Sequence, residues 1–147
     1  MVNQRYFEDI NTGDTLPVFA RTVDPVQMFL FSAATHNSHR IHYDRGWAVE
    51  VEGHRDIVVQ GPLQSALMAQ ALTDWAGPQG RLVRIAMQNR AAAYPGDELR
   101  FVGTVVGKRE EEGQALVEIN IREEKAAGEV VMPGSATIAL PKRESGS

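Results

Sequence analysis

Apolar and polar positions alternate along the second half of the chain in a way that predicts β-strands. Between residues 116 and 122, Val117, Ile119 and Ile121 alternate with polar residues, as expected for a strand with one buried face. Three further stretches are rich in β-branched residues and bounded by turn residues. They are residues 81–90, 98–108 and 129–140. Because short connections join these strands, an antiparallel sheet is predicted.

The first half of the chain predicts two helices. Residues 63–76 lie between two Gly-Pro pairs, and proline suits the start of a helix as glycine suits the position after its end. Apolar side chains cover well over half of the circumference of this helix, so it should be largely buried. A shorter helix is predicted over residues 24–34, with Asp24 as its N-cap.

A long buried helix combined with an antiparallel sheet predicts an α+β fold. In the favoured arrangement, the hot-dog fold, the sheet wraps around the central helix. The alternative is a sandwich in which the helix packs flat on one face of the sheet. Either sheet has edge strands that need covering, so dimerisation is expected.

Composition narrows the class of protein. The chain has 147 residues, a net charge of -4 and no cysteine, which predicts one domain over residues 1–147 and excludes thiolate metal sites and cysteine nucleophiles. The acidic balance argues against nucleic acid as a partner. The first residues do not resemble a signal peptide, and no stretch is apolar enough to span a membrane, so a cytoplasmic protein is expected. Residues 142–147 are predicted to be a frayed terminus.

Three of the four histidines, His36, His39 and His42, lie within seven residues. Histidine can take and give a proton near neutral pH, and it is also a common metal ligand. A metal site, a structural polar loop and general acid–base catalysis are therefore the three interpretations. No acidic residue lies at a familiar metalloenzyme spacing, and the intervening Asn-Ser pair is a poor helix interior, so no metal is predicted.

Three parts of the chain carry motifs of their own. They are residues 31–34 with Asn37 and residues 40–44, the apolar stretch that ends in Gly-Pro-Leu at residues 57–63, and the Tyr-Pro-Gly-Asp turn at residues 94–97. Together they resemble the motifs of the MaoC-like enoyl-CoA hydratases and acyl dehydratases, a hot-dog family. The first part resembles the hydratase signature, and the second resembles the strand and glycine that open the central helix. The resemblance extends over most of the chain. It is strongest to the branch that contains mesaconyl-type hydratases and the dehydratase region of type I fatty acid synthases.

The resemblance implies roles for three residues. His42 takes the place of the catalytic histidine, as a general acid–base. Asn37 stands where the family has aspartate; it cannot act as a base, but it can hold a water molecule by hydrogen bonds. The N–H of Gly61 would donate to the thioester oxygen, and Leu63 offers a second N–H because Pro62 has none.

Other residues are candidates for binding the substrate. Asp44 could orient the imidazole or cap the helical turn that follows it. His39 would lie at the rim of the pocket, and Arg40 and Arg90 could bind the phosphates of coenzyme A. Gln60 stands where the family usually has histidine.

The function implied is hydration of a 2-enoyl thioester, or dehydration of a 3-hydroxyacyl thioester, without a cofactor. The substrate would be carried by coenzyme A or acyl carrier protein, and the active form would be a homodimer or heterodimer of hot-dog domains. One alternative is a non-catalytic or acyl-CoA-binding subunit of a heteromeric hydratase. A hot-dog thioesterase is disfavoured because no carboxylate lies between Asp56 and Asp74.

Overall fold

The computed structural model describes residues 3–143 and contains one five-stranded antiparallel sheet. The strands lie in the order β1-β3-β4-β5-β2, so β1 and β2 form the two edges. Their bounds are Phe19–Thr22 for β1, Arg81–Met87 for β2, Glu98–Glu111 for β3, Gln114–Lys125 for β4 and Val130–Ala139 for β5. The four predicted strands are confirmed, with ends that differ by up to three residues. Strand β1 was not predicted.

Tight turns connect the strands as their residue types require. The β3–β4 turn consists of Glu112 and Gly113, both with positive φ (48° and 76°), and two such residues match the right-handed twist of a hairpin. Before β3, the N–H of Asp97 donates to the carbonyl of Tyr94 at 3.1 Å. Gly96 has φ 86°, the conformation that a type II turn needs at its third residue. The predicted short connection between these strands and the turn at residues 94–97 are thus confirmed.

Two helices precede β2. Helix α1 spans Pro25–Ala34, and the Asp24 side chain caps it by accepting a hydrogen bond from the N–H of Gln27 at 2.9 Å. Helix α2 spans Gly61–Ala76. Between them, the chain makes a 3-10 turn at Arg40–His42 and a π-helical turn at Trp47–Val51. These short turns place the histidine-rich segment between the end of α1 and the start of α2. No helix within residues 3–143 has the length and hydropathy needed to cross a membrane.

Helix α2 packs against the inner face of the curled sheet. Leu67, Met68 and Leu72 are buried in the same core as the inward-facing residues of β3, β4 and β5. The approach is close: a Cβ at Gly134 of β5 would lie 3.4 Å from the sulfur of Met68. Helix α2 is largely buried, as predicted, but one line of residues along it is exposed, namely Pro62, Ala66, Gln70, Thr73 and Asp74.

The end of the described chain lies on the surface of the sheet. Lys142 and Arg143 are exposed, but they form ion pairs with Glu110 and Asp9 at 2.5 and 2.6 Å. The rest of the predicted frayed terminus, residues 144–147, lies outside the described residues.

Candidate active site

His42 lies at the end of the 3-10 turn and is 92% buried, with a relative exposure of 8%. Its Nδ1 atom is 2.6 Å from the carbonyl oxygen of Val58. The same two segments are joined a second time, because the N–H of Val58 donates to the carbonyl of Ile41 at 2.8 Å. The histidine is therefore fixed against the strand-like segment that leads into α2.

These contacts define the protonation state of the imidazole. A carbonyl can only accept a hydrogen bond, so Nδ1 carries the proton and Nε2 of the neutral ring keeps its lone pair. The pKa of His42 is lowered, mainly because the ring is buried. The hydrogen bond to the Val58 carbonyl opposes this shift of the pKa, and the nearby His39 adds to it. His42 is thus a neutral base at physiological pH, oriented by a main-chain carbonyl.

Asn37 lies in the loop that follows α1. Its N–H donates to the carbonyl of Ser32 at 2.9 Å, and its side-chain Oδ1 accepts from the N–H of His39 at 3.2 Å. The amide nitrogen of the side chain is therefore the group left to bind a ligand, and it can only donate.

A mostly apolar cavity of about 340 Å³ opens beside this loop. Asn37 lines this cavity, whereas His42 and Gly61 do not. Its walls are formed by Phe29, Ser32, Ala33, His36, Asn37, Ser38 and Tyr43.

The start of α2 offers hydrogen-bond donors. Gly61 is the first helical residue, and the first N–H groups of a helix have no partner within it. Pro62 has no N–H, which leaves those of Gly61 and Leu63. The Leu63 side chain is buried in the core, so this residue can offer a ligand only its main chain. The helix dipole favours negative charge at this end.

Gln60 immediately precedes α2 and is fully buried. Its Nε2 donates to the carbonyl of Met28 at 2.6 Å and to the hydroxyl of Ser32 at 2.8 Å. Its Oε1 has no hydrogen-bond partner within residues 3–143. Gln60 therefore ties α1 to the start of α2, and it reaches the cavity through Ser32 rather than directly.

Asp44 caps the turn that follows it. One carboxylate oxygen accepts from the N–H of Trp47 at 3.0 Å, and the other pairs with Arg40 at 2.6 Å. These contacts, the first above all, lower the pKa of Asp44. Asp44 was predicted either to orient the imidazole of His42 or to cap the turn, and in the structure it caps the turn. The imidazole is oriented by the carbonyl of Val58 instead. Arg40 also stacks on the ring of Trp47, 4.0 Å from its centroid.

His39 and Arg90 lie at the surface. The His39 ring is nearly perpendicular to that of His42, with centroids 5.6 Å apart. Arg90 follows β2, and its N–H donates to the carbonyl of Val131 at 2.9 Å.

Within residues 3–143, no three His, Asp or Glu side chains converge on a point that a metal ion could occupy.

Sequence reasoning missed two groups near these candidates. The Val58 carbonyl left no signal, because any residue type provides one. Asn89 packs against Gly61, and no motif or periodicity marked it.

Residues 8–95, more than half of the chain, match the sequence model of the family described as hydroxyacyl-thioester dehydratase type 2. A mesaconyl-C(4)-CoA hydratase of Chloroflexus aurantiacus is 52% identical over 52 residues, which cover 34% of this chain and 19% of that protein. This chain thus spans about a fifth of that relative. The beta subunit of a 3-oxo-4,17-pregnadiene-20-carboxyl-CoA hydratase from Mycobacterium tuberculosis is 28% identical over 133 residues, covering 90% and 97% of the two chains.

The fold is shared with solved structures. An unliganded R-hydratase of Pseudomonas aeruginosa superposes with a TM-score of 0.83 at 21% identity, over 94% of this chain and 86% of that one. The antiparallel sheet curled around α2 is therefore the hot-dog fold, as predicted. With this fold and the match over residues 8–95, the chain belongs to the hydroxyacyl-thioester dehydratase type 2 family.

Proposed function

We propose that this chain adds water to a 2-enoyl thioester, or removes it from a 3-hydroxyacyl thioester, with His42 as the general acid–base. Hydro-lyase chemistry is that of its family. The observation that carries the assignment to His42 is its bond from Nδ1 to the Val58 carbonyl, which leaves Nε2 as a proton acceptor on a buried, fixed ring.

In the direction of hydration, Nε2 of His42 removes a proton from water while the water oxygen bonds to C3 of the substrate. The electrons of the C2–C3 double bond move toward the thioester carbonyl, which becomes an enolate. The imidazolium then returns its proton to C2 as the enolate collapses. Because one group serves both carbons, water adds to a single face.

Two further groups support these steps. The side-chain N–H of Asn37 donates to the attacking water and orients its lone pair toward C3. The N–H of Gly61 donates to the oxygen of the enolate, where negative charge develops. Asn37 thus works as a donor in a position where the family has a carboxylate, and His42 alone takes up the proton.

The carrier of the acyl group is proposed to be coenzyme A. The two named relatives act on CoA esters. Arg90 is exposed and forms no ion pair within residues 3–143, so its guanidinium is available for a phosphate. Arg40 is already paired with Asp44 and stacked on Trp47, which makes it the weaker candidate.

The active form is proposed to be a dimer. Strand β2 is an edge of the sheet, Val83 on it is exposed, and α2 has an exposed line of residues that a second chain could cover. We expect light scattering to give the mass of two chains, about 32 kDa from the 16.2 kDa of one. A mass of one chain for folded protein would contradict this proposal.

A second candidate function is favoured by Asn37 and by the beta-subunit relative. In that case the chain binds the acyl thioester and completes the active site of a partner chain. It would then bind CoA esters without converting them when purified alone.

The deciding experiment is hydration of a panel of 2-enoyl-CoA thioesters by the purified chain, followed by loss of the conjugated-thioester absorbance. Turnover that depends on His42 supports the hydratase. Binding of the thioesters with no turnover of any panel member supports the subunit role. Neither binding nor turnover would contradict both.

A further inference from the structure

We propose that Asn89 is a second hydrogen-bond donor to the thioester oxygen, acting beside the N–H of Gly61. The proposal rests on the proposed function, since it concerns the same carbonyl. Asn89 belongs to none of the sequence motifs that indicated the site.

The side chain of Asn89 occupies the space over Gly61. A Cβ built on Gly61 would overlap the Nδ2 atom of Asn89, whereas the Cγ and Oδ1 atoms lie farther from that position, at 3.4 and 3.8 Å. The amide nitrogen is therefore the part of Asn89 that faces the first residue of α2. A side chain at position 61 would displace this amide.

The backbone around Asn89 is fixed to the sheet. The N–H of Gln88 donates to the carbonyl of Pro133 at 3.1 Å, and the N–H of Arg90 donates to that of Val131 at 2.9 Å. These two hydrogen bonds to residues of β5 fix the backbone of Asn89, whose side chain contacts the start of α2. The side chain itself is exposed, so its amide is open to a ligand at the start of α2.

The amide of Asn89 has no hydrogen-bond partner within residues 3–143, and the first turn of α2 lacks one of its N–H groups. Both N–H groups of the Asn89 amide are therefore available. Pro62 removes the N–H that the second residue of α2 would otherwise supply. Asn89 therefore provides a second donor next to Gly61, where the helix itself cannot.

A packing role for Asn89 makes different predictions, and two variants separate them. Asn89→Leu keeps the size of the side chain but has neither an N–H donor nor a charge, and Asn89→Ala removes both the donor and the bulk. If Asn89 only fills space, the leucine variant should behave like wild type. If it donates, both variants should lose its effect on the substrate carbonyl.

The test measures carbonyl polarisation without turnover. A 2,4-dienoyl-CoA thioester is bound to the His42→Ala variant, and its absorbance is compared with that of the free thioester. Polarisation by donors shifts this absorbance to longer wavelength. Because the Gly61 N–H still donates, we expect the shift to decrease but not to vanish when Asn89→Leu or Asn89→Ala is added. It should persist undiminished with Asn120→Ala, which changes an exposed asparagine on the outer face of β4.

Kinetics of the single variants give the second readout. Removing one such donor should lower kcat by about 100-fold, while KM changes by less than about threefold because the donor acts mainly on the transition state. An undiminished shift in both Asn89 variants, or no shift in the His42→Ala background, would overturn the proposal. A shift that decreases on substitution of Asn89 in a protein that never turns over would uphold the donor and refute the hydratase. A chain that binds no CoA thioester refutes both.

Discussion

Replacing His42 by alanine should lower kcat for hydration of the best 2-enoyl thioester by about 100-fold or more, the contribution typical of a general acid–base group. The substitution removes the group that accepts the proton of water and returns it to C2. The rate is followed by loss of the conjugated-thioester absorbance. His54→Ala is the matched control, because His54 lies outside the site and should keep wild-type turnover. Equal losses in the two variants would show that the effect is not specific to His42.

The pH dependence of the wild type provides an independent check on the same residue. Burial lowers the pKa of His42, and only the neutral ring can accept a proton from water. As the pH falls through that pKa, kcat/KM for hydration should fall with it. The midpoint of this acid limb should therefore lie below about 6.5, the value of an unperturbed histidine. A midpoint above that value would contradict the role of a buried, neutral His42.

Replacing Glu123 by glutamine should remove most of the loss of stability that the wild type suffers between pH 5 and pH 8. Glu123 lies on β4 in the alternating series that faces the core and is fully buried. Neither of its carboxylate oxygens has a hydrogen-bond partner within residues 3–143. Burial raises its pKa from 4.5 to about 7, although the charge of Lys125 opposes the shift.

The sign of the effect follows from proton binding. Between pH 4.5 and about 7 the folded chain holds a proton on Glu123 that the unfolded chain has lost. The free energy of unfolding therefore decreases as the pH rises through this window, by about 3 kcal/mol in total. Urea unfolding at pH 5 and pH 8 measures it. Glu98→Gln, at an exposed position of β3, is the control and should keep the wild-type slope, and parallel profiles for wild type and Glu123→Gln would contradict the prediction.

The strands of the second half could be predicted because one face of each is buried. In β4 the inward residues are apolar at every second position up to Ile121, and no helix would bury that set on one side. Strand β1 could not be found this way. It has four residues, three of them exposed, so it carries no alternation, and it forms only because the start of β3 offers it a partner.

The exposed line along α2 could not be predicted, because alanine counts as apolar in a pattern but loses little when exposed. Ala66 counted toward a buried circumference, whereas the structure leaves it in the exposed line with Gln70. The ends of α2 and the cap at Asp24 were predictable, since they depend on single residues with local geometry.

The candidate site was predictable in its parts but not in its contacts. The histidine-rich segment and the Gly-Pro pair stood out by residue type. The partner of His42 turned out to be the main chain of Val58, and Asp44, chosen for its proximity in sequence, caps a turn instead. A main-chain acceptor and a long-range neighbour such as Asn89 depend on the fold, which residue types alone do not specify.

The three-stranded meander β3–β5 lies apart from all of this chemistry in the linear chain. Every candidate site residue falls between Phe29 and Arg90, and the family match ends at residue 95, just before β3 begins. To bury one face, a strand needs only apolar side chains of suitable volume. The sequence of β3–β5 can therefore change widely as long as the chain still folds. The loop after α1 and the entry to α2 have no such freedom. Divergence in hot-dog sequences should thus accumulate unevenly, with the carboxy-terminal third changing fastest while the fold and the chemistry persist.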